Sequence, residues 1–391
     1  MKILILGAGM QGRACAYDLL KNPALEELIL ADSSEKGLAF AKSFLGSKKV
    51  RTVRMDCSDA AKVKKLAAGC KVVVSCVPYF LNLALAKAVI AAKANWVDLG
   101  GNTDIVLKEL ALHEQAKKAG VTVLPDVGLG PGMTTTLAVH AMEMLDTVDE
   151  VMIRDGGLPQ RPVPPMNYML TFSEHGLINE YVEDATALRD FKVVKVPGLG
   201  EIETLEVPGL GRMEAAHASG GLSTLAMTYA GKVRSMDCKL IRYPGHCAVI
   251  NAMHAMGFFS QKKRKVGKNT LAPRELAAVL FREHFDRPGD EDMVVIHSTV
   301  KGTKDGRKAQ VVHDMMDKYD RATKMTAMMR TTGFPAAVVA QMLASGEITK
   351  KGAYPVETGI PTQGFIDHMK RRGFDIRWKL SYAEQREAVP A

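Results

Sequence analysis

The N-terminal third of the chain alternates short apolar runs with longer stretches of mixed polarity. Residues 2–6, 28–31, 50–55, 72–77, 96–99 and 121–124 read as strands. Val72-Val73-Val74 shows no polar alternation, as expected for a strand buried on both faces of a parallel sheet. Between the strands, residues 13–20, 35–44, 59–68, 81–94 and 105–119 read as helices. Regular alternation of strand and helix predicts an α/β domain with a doubly wound parallel sheet, spanning residues 1–130. It ends in the glycine- and proline-rich stretch Pro125-Asp126-Val127-Gly128-Leu129-Gly130-Pro131-Gly132.

Beyond that stretch the texture changes. A helix is predicted over 133–145, then strands over 151–154, 191–196, 239–243 and 294–300. Asp155-Gly156-Gly157-Leu158-Pro159 has turn composition, and glycines at 198–200 and 302–306 suggest hairpins. With helices over about 246–259 and 273–284, this predicts an α+β domain on a mixed or antiparallel sheet, residues 131–345. Residues 322–330 and 336–343 read as helices meeting at Gly333-Phe334-Pro335. The C-terminal segment 346–391, with a helix near 363–372, is expected to return to the first domain.

Composition narrows the class. The chain has 391 residues, 47% hydrophobic and 24% charged, as in an ordinary globular protein of two or three domains. No apolar run is long enough to span a membrane, and the first strand leaves no room for a signal peptide, so a cytoplasmic location is expected. Six scattered cysteines without a CxxC pair fit buried free thiols, with no metal site. The net charge of +9 raises the question of nucleic acid. Its one dense run, Lys262-Lys263-Arg264-Lys265, has no interleaved aromatics and reads as a solvated loop.

The candidate chemistry begins at the first strand. Gly7-Ala8-Gly9-Met10-Gln11-Gly12 opens the first helix, and the next strand ends in Asp32. Gly7 permits a sharp turn, Gly9 lets a pyrophosphate approach the backbone, and Gly12 lets helix and sheet pack closely. Free N–H groups at the helix start favour phosphate. Asp32 lies where a carboxylate accepts both ribose hydroxyls and repels a 2′-phosphate, so the expected cofactor is NAD. Val77, Pro78 and Tyr79, beyond a strand's carboxyl end, are candidates for lining the nicotinamide ribose pocket. Asp56 either bonds near the adenine or caps the following helix.

Several segments together resemble the saccharopine dehydrogenase-like family of amino-acid oxidoreductases: GAGMQGR at the N-terminus, VGLGPGMTTTLA at 127–138, DGGLP at 155–159, TFSEHG at 171–176, IRYPGH at 241–246, and RTTGFPAAVVAQMLASGEI and GAYPVETGIP near the end. Length and the lack of an appended second enzyme look most like the lysine 6-dehydrogenase type. The resemblance then implies NAD-dependent oxidative deamination of the side-chain amine of L-lysine, giving 2-aminoadipate 6-semialdehyde, which cyclises to a piperideine carboxylate, and ammonia. Where other members carry a WSPxG-like segment, this chain has Phe172-Ser173-Glu174-His175-Gly176, a departure that points to a changed substrate pocket. The alternatives are a saccharopine- or carboxynorspermidine-type reductase of the same fold, and a non-catalytic NAD(H)-binding sensor. A homodimer is implied as well, since an open sheet edge must be covered.

Oxidising a carbon that bears an ammonium requires the nitrogen to lose a proton first. The lysine side chain has a pKa of about 10.4, so a base or a desolvated pocket is needed. His175 or Asp126 is expected to handle protons, with Glu174 holding the amine by charge. Arg242 is the candidate for the substrate α-carboxylate, because its planar fork matches that group. Tyr243 and Thr224 are candidates for further hydrogen bonds. Bland readings stand beside these: Asp126 as a helix cap, His175 as a surface turn residue, and Arg242 as a strand residue paired with a nearby acid.

Overall fold

The computed structural model describes residues 1–383 other than Pro288. Residues 384–391 of the predicted C-terminal segment therefore lie outside the described residues. The first sheet is built from β1 (Lys2–Leu6), β2 (Glu27–Asp32), β3 (Val50–Arg54), β4 (Val72–Ser75), β5 (Asn95–Asp98) and β6 (Thr122–Leu124). All pair in parallel in the order β6-β5-β4-β1-β2-β3. Each connection crosses through a helix, which is why the central strands lack polar alternation and are buried, whereas the edge strand β3, Val-Arg-Thr-Val-Arg, alternates and is partly exposed. The predicted helix over 105–119 is two helices, Thr103–Leu110 and His113–Ala119.

The second sheet holds β7 (Thr147–Pro159), β8 (Ala185–Arg189), β9 (Lys192–Val196), β10 (Glu203–Val207), β11 (Gly211–His217) and β12 (Ser235–Arg242). A separate hairpin, β13 (Arg264–Val266) and β14 (Asn269–Leu271), carries part of the basic run. β15 (Asp292–Lys304) and β16 (Arg307–Lys318) complete the long strands. Only β12 and β7 are parallel in this sheet, so it is mixed.

Two expectations change here and a third holds. Asp155-Gly156-Gly157-Leu158-Pro159 is not a turn but the second half of β7, because β12 and β15 pair with it from both sides. Gly198–Gly200 does not make a hairpin, since β9 pairs with β8 and not with β10. Gly306 does, closing β15 onto β16 with Asp305 and Gly306 both at positive φ.

The C-terminal third divides between the domains. A single helix, Ala327–Ser345, runs through Pro335 and packs on the first sheet, with Phe334 in the same core as Ile3, Ile5 and Val74. Gly333 makes the close approach: a Cβ there would lie 2.7 Å from the Cβ of Ala14. The chain thus returns to the first sheet at residue 327, ahead of the expected 346. β17 (Gly352–Ala353) then extends that sheet beside β6, while β18 (Arg377–Tyr382) joins the second sheet beside β16. Among the described residues no helix is long and apolar enough to cross a membrane.

Candidate active site

The carboxyl ends of β4, β1 and β2 form one crevice, where strand order reverses on either side of β1. Gly7 turns there with φ +98°, and a Cβ on it would meet the Cys76 carbonyl at 2.7 Å. A Cβ on Gly12 would fall 1.9 Å from the Gly7 carbonyl. Gly9 differs, because nothing lies within 4 Å of its Cβ position. Its missing side chain serves no internal packing and leaves the helix start at Met10 and Gln11 open to a phosphate. That opening, with orphaned atoms Gln11 Oε1 and Arg13 Nε facing no partner among the described residues, fits a dinucleotide.

Asp32 ties this loop together. Its Oδ2 accepts from Ala8 N at 2.7 Å and its Oδ1 from Ser34 N at 2.7 Å. Val77, Pro78 and Tyr79 follow β4, with Tyr79 resting on Gly101, whose Cβ would meet the ring at 3.1 Å. Asp56 is exposed and accepts from Ser58 N, while the cap of the next helix is Asp59, accepting from Lys62 N. Asp56 thus does not take the cap role, and it stands just beyond the carboxyl end of β3.

Behind β5 lies a buried acidic pair. Trp96 Nε1 donates to Asp98 Oδ2 at 2.9 Å and to Glu109 Oε1 at 3.0 Å. Burial raises both carboxyls, and the Asp98 charge raises Glu109 further, to about 10. The folded pair therefore keeps a proton that the unfolded chain loses above the ordinary carboxylate range, and stability contributed by the pair is lost as pH rises. The melting temperature is expected to fall between about pH 5 and about pH 9, and Glu109→Gln to flatten that fall. Thermal melts of the two proteins over that window check this, and parallel curves would contradict it.

A cavity of about 250 Å³ lies between the domains. Gln11, Gly128 and Gly130 line it from one side, and Asp155, Tyr168, Glu180, Cys238 and Arg242 from the other. Its floor is the glycine pair of β7: a Cβ on Gly156 would meet the Ile241 carbonyl at 2.5 Å, and one on Gly157 would meet Met328 Cε at 2.8 Å.

Arg242 ends β12 and is buried. Its Nη1 donates to the Ile241 carbonyl at 2.9 Å and its Nε to Tyr181 Oη at 3.0 Å. The direction of each proton in this chain follows from its end. His246 Nδ1 lies 2.8 Å from the Met166 carbonyl and must donate to it. His246 Nε2 therefore accepts from Tyr181 Oη at 2.8 Å, which leaves the Tyr181 oxygen to accept from Arg242. Burial, then the Arg242 charge, pushes His246 down to about 3, so it stays neutral as this chain requires. The IRYPGH segment thus supplies both the guanidinium and the imidazole that orients it, with Gly245 at φ +92° turning the chain between them.

The guanidinium also lies 5.1 Å from the Tyr168 ring centroid and 5.7 Å from that of Tyr181. Two acids flank it. Glu180 Oε2 is 3.8 Å from Arg242 Nη2, buried and without a hydrogen bond among the described residues. Burial pushes Glu180 up to about 8, against the pull of Arg242. Asp155 is pushed up to about 6 by burial, again opposed by Arg242. Its Oδ1 accepts weakly from Cys238 Sγ at 3.7 Å, and its Oδ2 lies 3.1 Å from where a Cβ on Gly130 would be. The Asp155 carboxylate therefore faces the cofactor domain, and Glu180 sits beside Arg242.

Of the residues singled out from the sequence, Arg242 and Gln11 line this cavity. The others do not come together there. Glu174 pairs with Arg282, and His175 is exposed on the same first helical turn. Glu174 lines instead a neighbouring cavity with Met10, Phe172 and Arg282, and the His175 carbonyl accepts from Arg274. Tyr243 Oη donates to the Pro159 carbonyl at 3.0 Å, and Thr224 Oγ1 to Glu357 Oε2 at 3.1 Å. Asp126 is buried with φ +66°, its Oδ2 accepting from Ser223 Oγ. It borders the cavity's glycine loop without lining the cavity. Asp155, Glu180, Tyr168, Tyr181 and His246 were not singled out, although the glycine pair after Asp155 was a signal of close backbone approach inside a strand.

Comparison with known proteins agrees with this architecture. Residues 3–124 match the saccharopine dehydrogenase NADP binding domain, and residues 128–374 match the saccharopine dehydrogenase C-terminal domain. The mitochondrial alpha-aminoadipic semialdehyde synthase of Bos taurus is 23% identical over 90% of this chain and 45% of its own length. The L-glutamate-forming, NADP(+) saccharopine dehydrogenase of Saccharomyces cerevisiae is 26% identical over 50% of this chain and 43% of its own length. The chain thus spans under half the length of these two relatives. Carboxynorspermidine synthase of Vibrio cholerae is 23% identical over 98% of both chains. Among solved structures, apo saccharopine dehydrogenase (L-Glu forming) of Saccharomyces cerevisiae superposes with a TM-score of 0.81 at 17% identity, covering 97% of this chain and 99% of that one.

Proposed function

The chain belongs to the saccharopine dehydrogenase family, and we propose that it is an NAD-dependent dehydrogenase oxidising the side-chain amine of a free diamino acid, L-lysine, with release of ammonia. The observation that carries this reading is the cavity's polar pattern: one buried arginine flanked by the carboxyl groups of Asp155 and Glu180, in a space closed by the cofactor domain. Arg242 offers Nη2 to the substrate α-carboxylate, and Glu180 beside it takes the α-ammonium. The side-chain amine then extends toward Asp155, on the wall that faces Gly130.

Asp155 is the group placed to take the proton that frees the nitrogen lone pair. Raised to about 6 by burial, it is ionised at neutral pH and more basic than an ordinary carboxylate. The glycine loop Gly7–Gly12 and Asp32 would hold NAD, which would supply the hydride acceptor for the carbon bearing that nitrogen. Asp155 remains beside the same carbon and can pass the proton to the departing ammonia as water adds.

Asp32 supports NAD over NADP. Asp32→Ala removes the ribose acceptor and also frees Ala8 N and Ser34 N. It is expected to raise the KM for NAD by ~10–100-fold, the loss of hydrogen bonds to a charged group, and to narrow the gap to NADP. Steady-state kinetics with both cofactors check this, and equal use of the two by the wild type would refute the role.

The full-length match to carboxynorspermidine synthase favours a second reading, in which the same site couples an amine to an aldehyde reductively. NADH formation with NAD and L-lysine, L-ornithine, saccharopine or putrescine, followed from neutral to alkaline pH, separates the two. Turnover of L-lysine that rises with pH supports deamination. Turnover of saccharopine alone supports the second reading, and NADH binding without turnover of any amine a sensor.

A further inference from the structure

The cavity wall formed by Ala218, Ser219 and Gly221 belongs to a loop with no regular structure of its own. At its start it is tied to the Glu180 helix: Ser219 N donates to the Glu180 carbonyl at 3.1 Å, and Ser219 Oγ to the Asn179 carbonyl at 3.3 Å. At its far end every side-chain tie goes to the cofactor domain. Ser223 Oγ donates to Asp126 Oδ2, Thr224 Oγ1 to Glu357 Oε2 at 3.1 Å, and Thr228 Oγ1 to Glu357 Oε1 at 2.6 Å. Asp126 follows β6, and Glu357 follows its neighbour β17, so the two carboxylates stand side by side at one end of the first sheet.

The backbone on both sides is shaped for this grip. Asp126 has φ +66° and Ser223 φ +43°, left-handed conformations that non-glycine residues hold only when their surroundings impose them. Gly100, at φ +72°, is required beneath the carboxylate, since a Cβ there would lie 1.9 Å from Asp126 Oδ1. Asp126, Ser223, Thr224 and Glu357 are all buried, so each bond is shielded from water.

We propose that Asp126 and Glu357 are positioning residues that fasten the cavity wall 218–224 to the cofactor domain, and that Asp126 is not a proton carrier. A hydroxyl donor needs an acceptor oxygen, not a charge. An amide oxygen serves equally, and asparagine tolerates positive φ better than other residues. A proton carrier, by contrast, is abolished by the amide. The wall then follows the cofactor domain, so that the cavity's shape depends on how that domain sits against the second sheet.

The test is hydrogen–deuterium exchange of the segment 218–228 in the full chain, with steady-state kinetics on L-lysine and NAD alongside. Asp126→Ala is expected to speed exchange in that segment by ~10-fold or more, in the range of local opening equilibria, and to raise the KM for L-lysine while that for NAD stays unchanged. Asp126→Asn is expected to restore both. Ser223→Ala removes the same bond from the other side with a smaller change, and should speed exchange to a similar degree even if Asp126→Ala folds poorly. Glu357→Ala should loosen 224–228, and Glu357→Gln should not. Unaltered exchange in Asp126→Ala and Ser223→Ala would overturn the fastening. Wild-type exchange in an Asp126→Asn protein with no turnover would overturn the positioning role and return Asp126 to proton transfer. The exchange result does not depend on which amine is the substrate, so it stands apart from the functional reading above.

Discussion

Arg242→Met is expected to raise the KM for L-lysine by ~10²–10⁴-fold while the KM for NAD changes by less than ~3-fold. The guanidinium presents a fork to the α-carboxylate, and two charge-assisted hydrogen bonds contribute about 1.5–3 kcal/mol each. Its loss reaches further than those bonds. Among the described residues Glu180 Oε2 has no other cation within reach, and Arg242 is what opposes the rise of its pKa. Without the guanidinium the Glu180 carboxyl is pushed up further and holds its proton more tightly, which weakens its hold on the α-ammonium. Arg242→Lys should recover only part of the affinity, because an ammonium cannot donate to Tyr181 Oη and fork to a carboxylate at once. The glycine loop reaches the cavity through Gln11, on the side away from Arg242, which is why the cofactor KM is the internal control. A matching rise in both constants would mean that the variant disturbs the domain arrangement and would remove Arg242 from the carboxylate role.

Asp155→Asn is expected to lower kcat by ~10²–10⁴-fold, the usual contribution of a positioned general base. The amide keeps the shape beside Gly130 and can still accept from Cys238 Sγ, so the cavity survives the change. The pH profile is the sharper sign. Asp155 must be ionised to accept a proton, so kcat/KM for the wild type should rise with pH through about 6, the value to which burial lifts this carboxyl. Titration of the substrate ammonium adds a second rise at alkaline pH. Asp155→Asn should abolish the lower rise and leave the upper one. An unchanged lower limb would assign it to another group and exclude Asp155 as the base.

The parts of the molecule that were legible in sequence are those whose logic is local. Gly7, Gly9 and Gly12 meet demands within one turn, and the strands of the first sheet announce themselves between helices, five by apolar runs and β3 by its alternation. Arg242 was legible because it stands in IRYPGH, a segment that resembles the family's, and its planar fork suits a carboxylate. Asp155 was not, since Asp-Gly-Gly-Leu-Pro has the composition of a turn. It is a strand only because β12 and β15 lie on both sides of it, a fact of long-range pairing. Glu174 and Glu180 show the same limit. They share one helix, but six residues are about one and two-thirds turns, so they point to different sides. The nearer glutamate to the recognised segment meets Arg282, and the farther one meets Arg242. His246 lay in a quoted motif, yet its work on Arg242 passes through Tyr181, from a helix some sixty residues away in sequence.

The most direct test of the account is the amount of ammonia released per NADH formed when the purified chain is given NAD and L-lysine. Side-chain deamination predicts equal amounts, with both signals lost together in Asp155→Asn. NADH formed only from saccharopine, with glutamate released and no ammonia, would contradict it.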